Sequence, residues 1–342
     1  MIDYSAIRRV HLEISTLCNA SCTLCPRNIA GYDGWEGQLG YPLHDMRLAE
    51  AKIVFPADFI KQLDYILING NFGDFVMAKE GLEIVEYFYS CNPRMKIEIS
   101  TNGGAKPNMW ERLGRIPTLE IGFALDGLED THSLYRQNTS WTMVISNAKK
   151  FIAAGGQARW RMIKFDHNKH QRDQCEQLSK DLGFFAFEML DEGRNTGPVY
   201  DKNGNFSHQM DPEVEPKEYP TRVEVWRDQI HMTPSKQQAQ YKSIPIKQTI
   251  TCRTKKFHEI YVTATGEVYP CCWLGFYPKT ENVGLGWQYA SQQTADIVFN
   301  NNAHEYGING AIEWFNEVEA SWSKSSYSDG RLLKCDNHCG SN

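Results

Sequence analysis

Three cysteines near the start of the chain, Cys18, Cys22 and Cys25, are separated by three and then two residues. The preceding segment, 8–15, has the short β-branched pattern of a strand and leads into polar residues, so the cysteines are expected on a loop that leaves a first strand. Thiolates bind soft metals, and so short a loop can turn all three toward one metal centre. A four-iron cluster takes four ligands, so this loop would leave one iron open to a small chelating cofactor. A zinc site completed by a histidine such as His11, or three unrelated core thiols, are the alternatives.

A second group of cysteines lies near the end of the chain, at Cys252, Cys271, Cys335 and Cys339. Between the first two, strand-like segments flank Thr265-Gly266, which predicts a β-hairpin. The hairpin and the terminal loop would bring four thiols together. Cys272 competes with its neighbour Cys271 as the ligand from the hairpin. A zinc ribbon with four cysteine ligands is the alternative use of this group.

The elements expected to position the first cysteine group alternate between strand and helix. Six segments have strand patterns: 8–15, 64–68, 96–103, 119–127, 158–165 and 184–189. Ligand-like polar residues stand at the carboxyl ends of several of these strands, where an α/β barrel places its active site. The pattern therefore predicts an α/β barrel with the first cysteine loop near its active-site end.

The segments between the strands predict helices and loops. Residues 26–55, rich in glycine, proline and charge, are predicted to form a long loop that covers the open iron. Pro56 is expected to begin a short helix, and longer helices are predicted over 141–154 and 168–182. The turn at 69–74 contains glycines, which let a backbone approach a ligand closely.

The chain divides into three parts in this interpretation. Residues 1–195 form the barrel, and residues 251–342 form a smaller domain that carries the second cysteine group. Residues 196–250 lack periodicity and are punctuated by prolines, so they are predicted to bridge the two.

Composition disfavours two classes of partner. The chain has 342 residues, 41% of them hydrophobic, which is enough for about two domains with buried cores. Its net charge of −6 gives no reason to expect nucleic-acid binding, which needs an electropositive face. The sequence pattern predicts neither a signal peptide nor an apolar run of membrane-spanning length, so a soluble cytoplasmic protein without a membrane partner is expected. Ten cysteines there are expected to be reduced, with Cys91 and Cys175 as small buried hydrophobes.

The first cysteine loop resembles the signature of the radical S-adenosylmethionine (radical SAM) superfamily, Cys-x3-Cys-x2-Cys, with Leu24 in the apolar position before the last cysteine. The resemblance implies a partial (βα)6 barrel of TIM type. It also implies that Cys18, Cys22 and Cys25 hold a 4Fe-4S cluster whose open iron is chelated by SAM. Electron transfer from the cluster would cleave SAM and release a 5′-deoxyadenosyl radical. An external electron donor such as flavodoxin or ferredoxin is the implied partner.

The same resemblance implies contacts to SAM at the ends of later strands. A variant of the family's Gly-Gly-Glu-Pro segment stands at 72–75, where Asp74 would accept from the SAM ammonium group. The candidate SAM contacts are Leu24, Gly73, Asp74, Ser100, Asn102, Asp126, Arg136 and Asn168. The alternatives are an ordinary turn at 72–75 and at the end of the third strand, and a helix-capping role for Asp126.

The second cysteine group resembles the SPASM/twitch extension of radical SAM enzymes, which opens with Cys-x9-15-Gly-x4-Cys. The twitch form with one auxiliary 4Fe-4S cluster fits better than the full form, with Cys252, Cys271, Cys335 and Cys339 as ligands. The implied activity is that of an oxidoreductase or maturase, in which the auxiliary cluster assists a net oxidation or modification of a peptide or a small molecule. A non-catalytic zinc or iron-sulfur binding module is the alternative function.

Overall fold

A computed structural model of the protein shows a mostly parallel β-sheet covered by helices. It describes residues 2–22, 25, 43–104, 108–191, 198–200, 206–209, 245–247, 249–276 and 288–341. The elements below are numbered in chain order within these residues.

Twelve described strands fall into one large sheet and two small ones. They are β1 (Arg9–Leu12), β2 (Tyr65–Ile68), β3 (Lys96–Thr101), β4 (Leu119–Ala124), β5 (Gln157–Ile163), β6 (Ala186–Leu190), β7 (Pro198–Tyr200), β8 (Phe206–Gln209), β9 (Thr249–Ile250), β10 (Glu259–Val262), β11 (Val268–Tyr269) and β12 (Gly340–Ser341). The large sheet has the order β11-β10-β1-β2-β3-β4-β5-β6, in which only β11 is antiparallel to its neighbour. The two small sheets pair β7 with β8 and β9 with β12.

The described helices pack mainly around this sheet. They are α1 (Leu48–Val54), α2 (Ala57–Lys61), α3 (Gly81–Cys91), α4 (Trp110–Gly114), α5 (Glu129–Tyr135), α6 (Trp141–Ala153), α7 (Arg172–Asp181), α8 (Arg253–Phe257), α9 (Gln288–Ala295), α10 (Ala303–Ala311), α11 (Phe315–Ser321) and α12 (Leu333–Cys339). The longest, α6, begins where the Ser140 side chain accepts from the backbone N–H of Met143 at 3.3 Å, and ends before Gly155, whose φ is +100°. These local signals explain why its bounds follow from sequence.

The two faces of the large sheet differ in character. One set of alternating side chains is apolar, fully buried and part of the main core, as with Ile97, Ile121 and Trp160. The residues between them form an inner face that is charged: Arg161 pairs with Glu98 at 2.7 Å and with Glu188 at 3.0 Å. A closed TIM barrel is filled by branched apolar side chains, so this charged inner face is suited to a polar content.

The hairpin of β10 and β11 belongs to the large sheet. β10 pairs in parallel with β1, with Arg9 opposite Glu259 and Leu12 opposite Val262. The hairpin turns at Gly266, whose φ is +83°. The second cysteine group is therefore attached to the first strand of the barrel.

The predicted fold class, an α/β partial barrel with a C-terminal β-hairpin, is confirmed, and each of the six predicted strands is present. Two local predictions are wrong. The loop predicted over 26–55 contains α1 at Leu48–Val54, whose Leu-Ala-Glu-Ala-Lys core consists of good helix formers. The helix predicted over 168–182 begins at Arg172, because a 3-10 turn occupies Lys169–Gln171. Residues 26–42, the rest of the predicted loop, lie outside the described residues.

Candidate functional site

The three cysteines of the first group lie together beyond the carboxyl end of β1. Burial, followed by the negative charge of Asp74 and the thiols of Cys22 and Cys25, raises the pKa of the Cys18 thiol. Burial also raises the pKa of Cys22 to about 11, against the opposing effect of the Arg136 cation. The thiols of Cys18, Cys22 and Cys25 are thus neighbours in one packed cluster. Among the described residues, no group of three or more Cys, His, Asp or Glu side chains has the spacing of ligands around a single metal ion. Binding to a metal would offset the cost of burying these thiols as thiolates.

Several N–H groups point at these sulfur atoms. The backbone N–H of Ala20 donates to Cys18 Sγ at 3.4 Å, and Asn102 Nδ2 donates to the same sulfur at 3.8 Å. Arg136 Nη1 donates to Cys22 Sγ at 3.8 Å. Hydrogen bonds of this kind stabilise sulfur that carries negative charge. The donor set therefore fits an anionic metal-thiolate centre such as a 4Fe-4S cluster.

The loop that carries the cysteines is held from two sides. Asn19 Oδ1 accepts from Asn102 Nδ2 at 2.9 Å, which ties the loop to the end of β3. The backbone N–H of Ser21 donates to Gln137 O at 2.9 Å, and Asn138 Nδ2 donates to Ser21 Oγ at 2.6 Å, which ties it to the turn after α5. Asn138 takes the left-handed conformation that asparagine tolerates, with a φ of +59°. The positions of the thiols are thus set by β3 and α5 as well as by β1.

The glycine-containing turn after β2 packs directly on the chain that leads to Cys18. A Cβ atom at Gly73 would lie 1.9 Å from Ser15 O, so only glycine fits there. The carboxylate of Glu13, which is fully buried, accepts from the N–H groups of Phe72 at 2.7 Å and Gly73 at 2.9 Å. Its other oxygen accepts from Tyr261 Oη at 2.7 Å. The turn was predicted to approach a ligand, and the structure shows a close approach to the protein's own backbone.

Asp74, the predicted acceptor for the SAM ammonium group, is bonded to the end of β3. Its Oδ1 accepts from Thr101 Oγ1 and from the Val76 N–H, and its Oδ2 accepts from the Asn102 N–H at 2.8 Å. Burial raises the pKa of this carboxyl group. Since a carboxylate has about four acceptor positions, three bonds leave room for one further donor. Ser100, also on β3 and opposite Gly122, is partly exposed.

Asp126 and Arg136, two further predicted contacts, form an ion pair beside the cysteine loop. Arg136 Nε donates to Asp126 Oδ2 at 2.6 Å, and the Ile163 N–H donates to Asp126 Oδ1. Asp126 is 0% exposed. Its backbone N–H donates to His132 Nδ1 at 3.2 Å, while His132 Nε2 lies 3.0 Å from Thr139 Oγ1. Asp126 is therefore a buried anchor for the arginine that contacts Cys22, and the predicted helix-capping role does not describe it.

Asn168 and Leu24 stand apart from this arrangement. Asn168 is 0% exposed; its Oδ1 accepts from the Phe165 N–H at 2.8 Å and its Nδ2 donates to Ile163 O at 3.0 Å. The side-chain oxygen and nitrogen of Asn168 are thus both hydrogen-bonded to the backbone at the end of β5 and in the loop after it. Leu24 lies outside the described residues.

The thiols of the second cysteine group also lie together. A hydrogen bond between the Cys339 and Cys252 thiols lowers the pKa of Cys252 and raises that of Cys339. Burial, followed by the neighbouring thiols of Cys272, Cys335 and Cys252, raises the pKa of Cys271. For Cys272, burial and then the Glu259 carboxylate raise the pKa to about 11. Cys271 thus faces the other thiols of the group, whereas Cys272 has Glu259 near it.

The two cysteine groups are linked by contacts through the turn after β2. Asn71 Nδ2 donates to Tyr261 Oη at 3.1 Å and to Cys272 O at 3.0 Å. The Phe72 and Phe276 rings are stacked, with centroids 5.5 Å apart and planes at 9°. The chain around Cys272 therefore supports the same turn that supports Cys18.

Sequence reasoning did not identify Glu13, Asn71, Thr101 or Tyr261. Glu13 offered a signal, because a carboxylate between the apolar residues Leu12 and Ile14 is expected to need a buried partner. Tyr261 and Thr101 offered none, since both are ordinary strand residues. Their roles depend on which strands are neighbours.

None of the described helices is both long enough and apolar enough to cross a lipid bilayer. No model of a known protein family matches the chain, and no curated protein matches its sequence.

Solved structures match the fold. SuiB of Streptococcus suis bound to the precursor peptide SuiA aligns with a TM-score of 0.54 at 14% identity, over 96% of this chain and 71% of that one. SuiB bound to S-adenosylmethionine aligns with a TM-score of 0.51 at 14% identity, over 81% of this chain and 63% of that one. Native anSMEcpe with bound AdoMet aligns with a TM-score of 0.50 at 15% identity, over 97% of this chain and 88% of that one.

In the comparison with SAM-bound SuiB the match thus spans less than two thirds of the longer chain. At 14–15% identity the likeness concerns the architecture of the chain. The protein has the α/β partial-barrel fold that SuiB and anSMEcpe share.

Proposed function

We propose that the protein is a radical SAM enzyme. In this proposal Cys18, Cys22 and Cys25 would hold a 4Fe-4S cluster, which would supply the electron for reductive cleavage of SAM to a 5′-deoxyadenosyl radical that could take a hydrogen atom from a bound substrate. The observation that carries the proposal is the grouping of three thiols on one short loop. N–H groups of Ala20 and Arg136 are directed at two of the three sulfur atoms.

The chain's own residues have three tasks around this centre. Asn102 and Arg136 donate to cysteine sulfur and so favour the thiolate state. Asp74 has one acceptor position left, and it lies close enough to influence the Cys18 thiol, which supports its assignment to the SAM ammonium group. Ser100, on the inner face of β3, is partly exposed and is assigned to the ribose or carboxylate of SAM.

The second cysteine group is proposed to bind an auxiliary 4Fe-4S cluster through Cys252, Cys271, Cys335 and Cys339. Cys271 is preferred to Cys272 because its thiol is near those of Cys252 and Cys335. An auxiliary cluster can accept the electron left on a substrate radical, so a net oxidation or modification is the proposed outcome. The proposed substrate is a peptide or a polar small molecule, for which the charged inner face is suited. The fold shared with SuiB bound to a precursor peptide supports the peptide.

Anaerobic reconstitution with iron and sulfide tests the proposal. The reconstituted protein is expected to be brown, and after reduction with dithionite it should convert SAM slowly to 5′-deoxyadenosine even without substrate. Chromatography of the nucleoside products measures this conversion. A Cys22→Ala variant should lose it, while a Cys175→Ala variant, which removes a buried thiol from α7, should retain it. A colourless protein with stoichiometric zinc, or conversion that persists in Cys22→Ala, would refute the proposal.

A further inference from the structure

A cluster of cations surrounds one exposed aromatic ring near the amino-terminal ends of the strands of the large sheet. Phe257, the last residue of α8, is 40% exposed. The guanidinium of Arg9 lies 5.4 Å from its ring centroid, Lys256 Nζ lies 5.6 Å away and the guanidinium of Arg253 lies 5.9 Å away. Arg8 is next to Arg9 in the chain. We call these five residues the basic surface.

Among the described residues, an ion pair neutralises only one cation of the basic surface. Arg9 pairs with Glu259 at 3.3 Å, but Arg8, Arg253 and Lys256 have no carboxylate within ion-pairing distance among the described residues. Arg8 Nη1 donates to the backbone carbonyl oxygens of Ser5 and Ile7, at 2.7 and 2.8 Å. In a chain whose net charge is −6, three unpaired cations in one place form a local field of the opposite sign.

A groove of about 630 Å³ opens on the basic surface. Lys96 adds a further cation to its lining, although it pairs with Glu120 at 2.9 Å. Two carboxylates also line the groove. Glu98 is already engaged by Tyr65 Oη at 2.6 Å and by Arg161, whereas Asp64 is exposed. The lining as a whole is therefore positive.

The basic surface adjoins the second cysteine group. Arg253 directly follows Cys252, which precedes the first turn of α8. The backbone N–H of Arg253 also donates to the Cys339 thiol. With a rise of about 1.5 Å per residue, the five residues of α8 place Phe257 roughly 7.5 Å along the helix from Cys252. Cys252 and Phe257 therefore stand at the two ends of the same short helix.

We propose that the basic surface docks an acidic protein that carries one electron and delivers it to the cluster of the second cysteine group. The inference rests on the proposed function, in which each reductive cleavage of SAM consumes one electron from outside the enzyme. The C-terminal cluster would pass the carrier's electron on to the cluster of Cys18, Cys22 and Cys25, where SAM cleavage would consume it. In the docked complex the carrier is oxidised by one electron and the C-terminal cluster is reduced by one, and no other group is transferred. Complementary charge raises the rate of such an encounter, and an exposed aromatic residue within a polar rim is a common anchor in protein interfaces.

Charge reversal at the two unpaired residues of α8 tests the proposal. The parent for this test carries Cys18→Ala, Cys22→Ala and Cys25→Ala, so that only the C-terminal cluster absorbs visible light. The charge-reversed protein carries Arg253→Glu and Lys256→Glu in addition. Stopped-flow bleaching by reduced flavodoxin, an acidic one-electron carrier, measures the bimolecular rate of cluster reduction. At low ionic strength the charge-reversed protein is expected to react at least about tenfold more slowly and to lose the dependence of the rate on salt. Bleaching by dithionite, a small reductant that needs no docking site, should be equal in both.

Lys52→Glu with Lys149→Glu is the matched control, because it changes the net charge equally at exposed lysines of α1 and α6. The control should react with flavodoxin nearly as the parent does. Equal rates for the parent and the charge-reversed protein would overturn the proposal, as would an equal loss of rate in the control. Binding of inorganic phosphate to the groove without any effect of charge reversal on the flavodoxin rate would instead identify a small-anion site. A reconstituted protein without iron would refute the proposed function itself, before the docking surface is tested.

Discussion

The ion pair of Asp126 and Arg136 is the residue-scale feature on which the first cysteine loop most depends. The carboxylate is 0% exposed and the arginine side chain is 16% exposed. The same guanidinium donates to Cys22 Sγ, so any change that frees it also changes the surroundings of a proposed cluster ligand. Breaking a buried pair by neutralising one partner costs more than a surface pair contributes, because the remaining charge is left buried.

Asp126→Asn is therefore expected to lower the free energy of unfolding by about 3 kcal/mol. Urea titration followed by circular dichroism measures the change. Asp58→Asn, which breaks the exposed pair with Lys61, is the control and should leave the urea midpoint unchanged. If the two variants unfold alike, Arg136 has found another partner and the buried pair does not anchor the cysteine loop.

Two buried histidines give the stability a defined dependence on pH. Burial lowers the pKa of His11 to about 4 and that of His132 to about 4, below the value of about 6.5 in an unfolded chain. The unfolded state thus binds more protons than the folded state between these values. Each histidine contributes stability that is fully present above pH 6.5 and is lost as the pH falls toward 4.

Between pH 6 and pH 4.5 the free energy of unfolding is expected to fall by about 1.4 kcal/mol per pH unit for each of the two histidines. Chemical denaturation at a series of pH values measures the slope. His132→Gln should remove one of the two titrating groups, so the free energy of unfolding should depend less steeply on pH. A slope unchanged by that substitution would show that other groups carry the effect.

At the scale of elements, the turn after β2 holds the two halves of the candidate site in place. Gly73→Ala would put a Cβ atom 1.9 Å from Ser15 O and push the turn off Glu13. SAM affinity, measured by equilibrium dialysis on the reconstituted protein, is expected to fall at least about tenfold, which corresponds to about 1.4 kcal/mol. Gly307→Ala is the control: its Cβ would meet nothing within 4 Å, so it carries only the strain of a φ of +62°. Retained SAM affinity in Gly73→Ala would remove the turn from the binding site.

Tyr261 on β10 links the hairpin to the same turn. Tyr261→Phe removes the bond to Glu13 and the acceptor for Asn71, and is expected to cost about 1–2 kcal/mol of stability and to weaken SAM binding severalfold. Tyr87→Phe is a matched control, because it also removes one tyrosine hydrogen bond, to Phe55 O at 2.9 Å, but away from the turn. Thermal unfolding and equilibrium dialysis separate the two effects. An equal loss of SAM affinity in both variants would indicate general destabilisation.

Local elements could be predicted from the sequence, whereas contacts between distant elements could not. The alternation around Ile97 and Ile99 was enough to place a strand, whereas the thiol centre that the spacing of Cys18, Cys22 and Cys25 indicates stays a prediction. The short α1 was missed because it lies in a stretch rich in glycine and proline. The bond between Glu13 and Tyr261 joins residues 248 positions apart and exists only because β1 and β10 are neighbours in the sheet. No local pattern encodes that neighbourhood.

At the scale of the whole molecule, the two cysteine groups are joined by protein contacts. Asn71 bonds to Cys272 O, and Phe72 stacks on Phe276. Because metal binding orders the chain around its ligands, loss of the proposed C-terminal cluster is expected to loosen this contact. Cys335→Ala with Cys339→Ala should therefore remove about half of the iron and also weaken SAM binding severalfold. Iron per chain and SAM dialysis measure the two effects, with Cys91→Ala as the control. Unchanged SAM affinity would show that the groups are independent.

The parallel pairing of β1 with β10 also sets an order of events during synthesis on the ribosome. β1 is made about 250 residues before β10, and in the described sheet one of its two edges has no partner until residues 259–262 have emerged. At usual rates of translation this takes on the order of ten seconds or more. For that time the nascent barrel presents an unpaired strand edge, which is a template for aggregation. Closing it depends on a contact between segments about 250 residues apart, and such non-local contacts form slowly. A chain truncated before β10 would keep that edge permanently, so β10 acts as the completion step for the sheet that β1 and β2 began.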